Sequence, residues 1–158
     1  MNGKGRGAAR AVADLSAGIV LATVEIAAPA ERVFQALASS EIVRWWGKPG
    51  TFDTREWAGD LRVGGSWRAA GIANGQPWAL EGEFLELDPP RKLAHTWRMP
   101  GAAGAPSVVT YLLETVDGGT RVTLRHSGVD QRAACMGACA GWESSLANLA
   151  QILGGLNA

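Results

Sequence analysis

Apolar residues along this chain follow two spacings, and the switch between them marks its elements. In the run IVLATVEIAA, Val20, Ala22, Val24 and Ile26 fall two apart, the period of a half-buried strand. Pro29 then opens a short helix, where its fixed φ and missing N–H cost least, and Val33, Phe34 and Leu37 share one face. Ser39 and Ser40 punctuate it and can cap a second short helix ending at Trp45, Trp46 and Gly47. After Lys48-Pro49-Gly50 the pattern predicts strands over 51–57, 66–72, 78–87, 92–99, 107–116 and 121–127. Gly64-Gly65, Asn74-Gly75, Pro89-Pro90, the stretch 101–106 and Asp117-Gly118-Gly119 supply the turns between them. From about Asp130 the steps lengthen to three and four, and Cys135, Cys139, Trp142, Leu146, Leu149 and Leu153 mark one face of a long helix.

The expected order is therefore strand, two helices, six strands, long helix. Successive short strands joined by tight turns imply an antiparallel meander, which cannot bury its apolar face alone. The last helix is the element long enough to cover it. This is an α+β arrangement, a curved antiparallel sheet wrapped around a long C-terminal helix. Residues 1–17 are rich in Gly, Ala and Arg without a sustained apolar period, so they predict a flexible tail, at most with a helical turn around Ala8 to Leu15. Residues 18–158 form the expected domain, and the total of 158 residues suits one core.

Composition narrows the function classes. Fifteen Lys plus Arg balance fifteen Asp plus Glu, which removes the broad positive field that non-specific nucleic-acid binding needs. No run of ~18 apolar residues predicts a membrane span. Arg10 and Asp14 interrupt what would be the apolar part of a signal peptide, and Cys135 and Cys139 leave one helix too close in register to bridge, so a reducing cytoplasm is expected. The preference for Arg over Lys, with abundant Ala and Gly, is the usage of a GC-rich, bacterial coding sequence.

Several segments, in order, resemble the START-like helix-grip superfamily, also called SRPBCC, and within it the homologues of the heat-shock-protein ATPase activator. They are APAERVF at 28–34, WWG at 45–47, DLRVGGSWR at 60–68, GEF at 82–84 through Pro89-Pro90, Thr96-Trp97, GTRVTL at 119–124, HSG at 126–128 and Gly141-Trp142. The resemblance runs from about Val20 to Leu153. It implies a cavity between sheet and long helix that different members use for lipids, hormones, polyketides or other small molecules. It does not name a ligand, so the residues must speak for function.

Seven tryptophans, Trp45, Trp46, Trp57, Trp67, Trp78, Trp97 and Trp142, are the most unusual feature. Clustered indoles either line a pocket for an aromatic molecule or fill it themselves. The expected ligand-contacting set is Trp46, Trp57, Trp67, Arg68, Trp78, Phe84, His95, Trp97, Tyr111, His126, Cys139 and Trp142. His126 alternates with Val122 and Leu124, and His95 with Leu93 and Trp97, so both imidazoles point inward, where they could orient a ligand or move a proton. Arg68 would place a cation in the cavity if a bulge at Gly64-Gly65 shifts the alternation, and faces solvent otherwise. Cys135 and Cys139 read as small buried hydrophobes ahead of any reactive role. Glu81 and Glu83 fall on the outer face opposite Phe84. Gly137 and Gly141 sit inside the long helix at a cost of ~1 kcal/mol each, which close approach to the sheet or to a ligand would offset.

No metal motif, nucleophile elbow, P-loop or dinucleotide fingerprint is present, so no cofactor is expected. The leading reading is binding of a small apolar or aromatic molecule, with Arg68, His126 or Tyr111 fixing its polar end. A cyclase, dehydratase or hydrolase using His95, His126 or a glutamate is the enzymatic alternative. A co-chaperone-like interaction module is the third, although the short tail is a poor substitute for the added N-terminal domain of an activator. A homodimer through a sheet face or edge is compatible with the pattern.

Overall fold

The computed structural model describes residues 8–154. Nine strands form one antiparallel sheet in the order β1-β2-β9-β8-β7-β6-β5-β4-β3. In chain order they are β1 (Arg10–Asp14), β2 (Ile19–Ile26), β3 (Gly47–Lys48), β4 (Phe52–Gly59), β5 (Ser66–Ala73), β6 (Gln76–Asp88), β7 (Lys92–Trp97), β8 (Ser107–Val116) and β9 (Gly119–Ser127). Helices α1 (Ala30–Leu37) and α2 (Ile42–Trp45) follow β2, and α3 (Arg132–Leu153) closes the order. The sheet curls around α3, as the helix-grip reading requires.

Alternation along each strand decides what the concave face carries. The expected β2 stripe of Val20, Ala22, Val24 and Ile26 is buried and pairs with His126, Leu124, Val122 and Thr120 on β9, of which His126, Leu124 and Val122 pair in turn with Val109, Tyr111 and Leu113 on β8. From α3, Cys135, Trp142, Leu146 and Leu149 descend onto this surface. Asn74-Gly75 makes the tight β5–β6 hairpin: both residues have positive φ, 50° and 79°, the geometry that an Asn-Gly pair adopts readily. Register shifts at Thr54/Glu56 and Phe84/Glu86 put bulges into β4 and β6, and such bulges help the sheet bend.

Two elements correct the sequence reading, both at sheet edges. Arg10–Asp14, expected as part of a flexible tail, is a strand paired with β2 from Arg10↔Thr23 to Asp14↔Ile19. Its inward residues are only Ala11 and Ala13, too small to show as an apolar period. The Asp14 carboxylate ties the following turn by accepting from the Ser16 hydroxyl at 2.9 Å and the Ala17 N–H at 3.1 Å. Residues 1–7 of the expected tail lie outside the described residues. The second addition, β3, is a two-residue strand that pairs with β4 and anchors the chain after α2.

The α2–β3 junction is where α3 is fixed in place. Ser144 Oγ donates to the Gly47 carbonyl at 3.1 Å, and Asn148 Nδ2 donates to the Trp45 and Gly47 carbonyls, each at 3.2 Å. The Thr54 hydroxyl donates to the Trp46 carbonyl at 2.7 Å, and Trp45 Nε1 donates to Ala36 O at 2.9 Å. These bonds satisfy the backbone of a short helix end and hold Trp46 under the middle of α3. Among the described residues no helix is long and apolar enough to cross a membrane.

Candidate functional site

Between the concave face, the loop after β7 and the N-terminal half of α3 lies an open cavity of about 620 Å³. A small molecule of a few fused rings fits such a volume. Its inner wall is aromatic: Trp46, Trp78, Trp97 and Trp142, with Phe52 beside them. Its mouth is built from small or apolar residues of the 99–106 loop and from Ala134, Gly137 and Ala138 on α3. Of the two helical glycines, Gly141 faces the Phe52 ring, which a Cβ there would meet at an ordinary contact distance of 3.5 Å, whereas a Cβ at Gly137 would meet nothing within 4 Å. Close packing to protein therefore requires neither glycine, and both line the cavity along the helix.

Behind the tryptophan wall is a second, nearly filled space of about 20 Å³, room for roughly one water. It is lined by Trp57, Trp67, Phe84, His95 and Tyr111, and Trp46, Trp97 and Trp142 separate it from the open cavity by lining both. Trp46 is the hub. Its ring centroid lies 4.9 Å from that of Trp97 and 5.5 Å from that of Trp78, both edge-on, and it stacks on Trp142 at 6.3 Å. Edge-to-face contacts of this kind add ~0.5–1.5 kcal/mol beyond area burial.

The polar groups of the wall form one directed chain. Trp142 Nε1 can only donate, and its partner at 3.0 Å is His126 Nδ1. Nδ1 must then be the acceptor, so the neutral ring carries its proton on Nε2 and donates it to Ser107 Oγ at 2.8 Å. Ser107 Oγ in turn donates to the Trp97 carbonyl at 3.1 Å. A serine nucleophile needs the opposite polarity, with Nε2 accepting from the hydroxyl, so His126 is not placed to activate Ser107. His95 Nδ1 lies 2.9 Å from the Thr96 carbonyl, which fixes the proton on Nδ1. Burial holds both imidazoles down to about 4, and for His126 the neighbouring His95 adds to the effect. Burial likewise pushes the Tyr111 phenol well above its ordinary value. Trp78 Nε1–H is buried without a partner.

The expected contact set thus divides three ways. Trp46, Trp78, Trp97, His126 and Trp142 line the open cavity. Trp57, Trp67, Phe84, His95 and Tyr111 lie behind it, where the side chains pack against one another. Arg68 and Cys139 line neither space. Arg68 is exposed on the outer face because the bulges fall in β4 and β6, not at Gly64-Gly65, so Trp67 points in and Arg68 out. It lines an outer groove with Glu81 and Glu83, which are exposed as the alternation predicts. Cys139 is half-buried against the core, its thiol pushed up by burial and by Glu143. The residue missing from the sequence reading is Ser107. Its signal was the shared parity with Val109 and Tyr111, but its meeting with His126 depends on a cross-strand register that no single sequence displays. Among the described residues no group of three His, Cys, Asp or Glu side chains is placed to hold a metal ion.

Comparison with known proteins agrees with this architecture. A protein family described as "Activator of Hsp90 ATPase homolog 1-like protein" matches residues 27–154. Curated proteins give no match. Among solved structures, protein CV1439 from Chromobacterium violaceum is 26% identical, with 86% of this chain and 96% of that one covered at a TM-score of 0.77. Protein Ms6760 from Mycobacterium smegmatis is 24% identical, with 90% and 94% covered at a TM-score of 0.78. DynU16, a protein in the dynemicin biosynthetic locus, is 21% identical with a TM-score of 0.69, and 86% of this chain aligns with 47% of that one. The match across the curved sheet, both short helices and α3 shows that the chain belongs to the Hsp90 ATPase activator homolog 1-like family, within the START-like helix-grip superfamily.

Proposed function

We propose that this protein binds a small apolar or aromatic molecule in the open cavity. The observation that carries the reading is an aromatic-walled space of about 620 Å³ that stays open although seven tryptophans are available to fill the fold. Only the deeper space is self-filled. Trp46, Trp97 and Trp142 form the floor on which a flat ligand lies, and the 99–106 loop and the first turns of α3 frame its entry. Sequestration or sensing of a metabolite in a reducing cytoplasm fits two free thiols that form no disulfide.

Thermal stability against a panel of apolar and aromatic metabolites tests this. A ligand present at 100 times its Kd adds ~2.7 kcal/mol, a clear rise in Tm, and the rise should be saturable and confined to one chemical class. If no member shifts Tm, the cavity is not a binding site for such molecules and an interaction role gains weight.

A further inference from the structure

We infer that Ser107 is the polar anchor of the cavity and that the molecule it holds is uncharged, an aromatic body bearing a hydroxyl or carbonyl group. This rests on the binding reading above and adds the ligand's class. Ser107, Val109 and Tyr111 alternate onto the concave face of β8, and Ser107 pairs in register with Trp97 on β7. Its hydroxyl therefore sits at the cavity wall, between the Trp97 floor and His126.

The direction of the hydrogen-bond chain determines what that hydroxyl can offer. Its proton goes to the Trp97 carbonyl and one lone pair to His126 Nε2–H, which leaves one lone pair for a ligand hydroxyl to donate into. Rotation of the O–H away from Trp97 O lets the same atom donate to a ligand carbonyl, with His126 still donating to it. Trp142 fixes the His126 tautomer from behind, so the wall is neutral in either arrangement.

Charge near the cavity does not alter this. Arg98 is the one Lys or Arg among the described lining residues, but it follows inward-facing Trp97 by one position, and its backbone pairs with that of exposed Glu81 on β6. Its guanidinium is engaged in donating to the Ala102 carbonyl, and the residue also lines the outer groove. Asp130 belongs to the rim, where its Oδ1 lies 3.0 Å from the position a Cβ on Gly18 would take, turned toward the β1–β2 turn. A carboxylate placed at Ser107 would meet a neutral serine and neutral histidine in an apolar wall and would lose hydration without a counter-charge.

Three probes that share one ring system separate the possibilities: 1-methylpyrene, 1-pyrenemethanol and 1-pyrenecarboxylate, followed by energy transfer from tryptophan to pyrene. The alcohol should bind about three- to tenfold tighter than the methyl compound, the worth of one neutral hydrogen bond, and the carboxylate on the order of tenfold more weakly than the alcohol. Ser107→Ala should bring the alcohol down to the affinity of 1-methylpyrene and leave the latter unchanged, while Ser107→Thr should keep the preference. Equal binding of alcohol and methyl compound, or a preference that survives Ser107→Ala, overturns the anchor while leaving cavity binding intact. Tightest binding by the carboxylate overturns the uncharged class. Absence of transfer with every probe contradicts the underlying binding reading itself.

Discussion

Between pH 6.5 and pH 4 the two buried imidazoles alone are expected to cost the protein roughly 3–6 kcal/mol of stability. His95 and His126 are buried, at 9% and 3% exposure, and both are held neutral, with values lowered from 6.5 to about 4. The unfolded chain therefore binds two protons in this window that the folded chain refuses. Stability is full above the unfolded value and falls as pH drops toward the folded one. The two rings are coupled, so the loss is a property of the pair. Protonating His126 also removes the Nδ1 lone pair that Trp142 Nε1–H needs. Urea melts from pH 7 to pH 4 measure the slope. His95→Phe should reduce it to about half, because the site is already aromatic and the Thr96 carbonyl keeps its bond from Trp67 Nε1. A stability that is flat across the window would show that the imidazoles are not buried as described.

Trp46→Ala should cost about 3–5 kcal/mol, the usual penalty for removing a large buried aromatic side chain. The side chain is 7% exposed and its ring meets those of Trp67, Trp78, Trp97 and Trp142, so no neighbour can collapse into the space without losing its own packing. The variant has a second consequence. Trp46 lines both spaces, so its removal joins the open cavity to the small one around His95 and Tyr111. Larger polycyclic ligands should then bind better than to the parent, relative to small ones. Urea denaturation gives the first quantity and competitive titration with ligands of graded size the second. A loss below 1 kcal/mol would mean that the tryptophan cluster is not the packed wall described.

The parts of the fold that could be read from sequence are those in which one face is strongly apolar. The β2 stripe from Val20 to Ile26, the Asn74-Gly75 hairpin and the α3 face from Cys135 to Leu149 all follow from local pattern, because burial there repeats with the period of the element. Edge strands escape this logic. β1 buries only alanines and β3 is two residues long, so neither has a period to read. The site was legible in its residue types and less so in its depth. Parity places His95, Trp97 and His126 inward, but whether an inward side chain meets ligand or another ring depends on how far along the curled sheet it lies. Arg68 shows the sensitivity to register, since the bulges occur in β4 and β6 and leave β5 in simple alternation. Ser107 shows the converse: an unremarkable serine gains importance because β7 and β9 bring Trp97 and His126 to its hydroxyl.

The binding claim is tested most directly by following the seven indole N–H resonances in a proton–nitrogen correlation spectrum while an apolar aromatic ligand is titrated. The signals of Trp46, Trp78, Trp97 and Trp142, which line the open cavity, should shift together and saturate, with Trp45, which lines only the deeper space and donates to the Ala36 carbonyl, moving least. Shifts confined to tryptophans outside that set, or none at saturating ligand, would contradict an open, ligand-binding cavity.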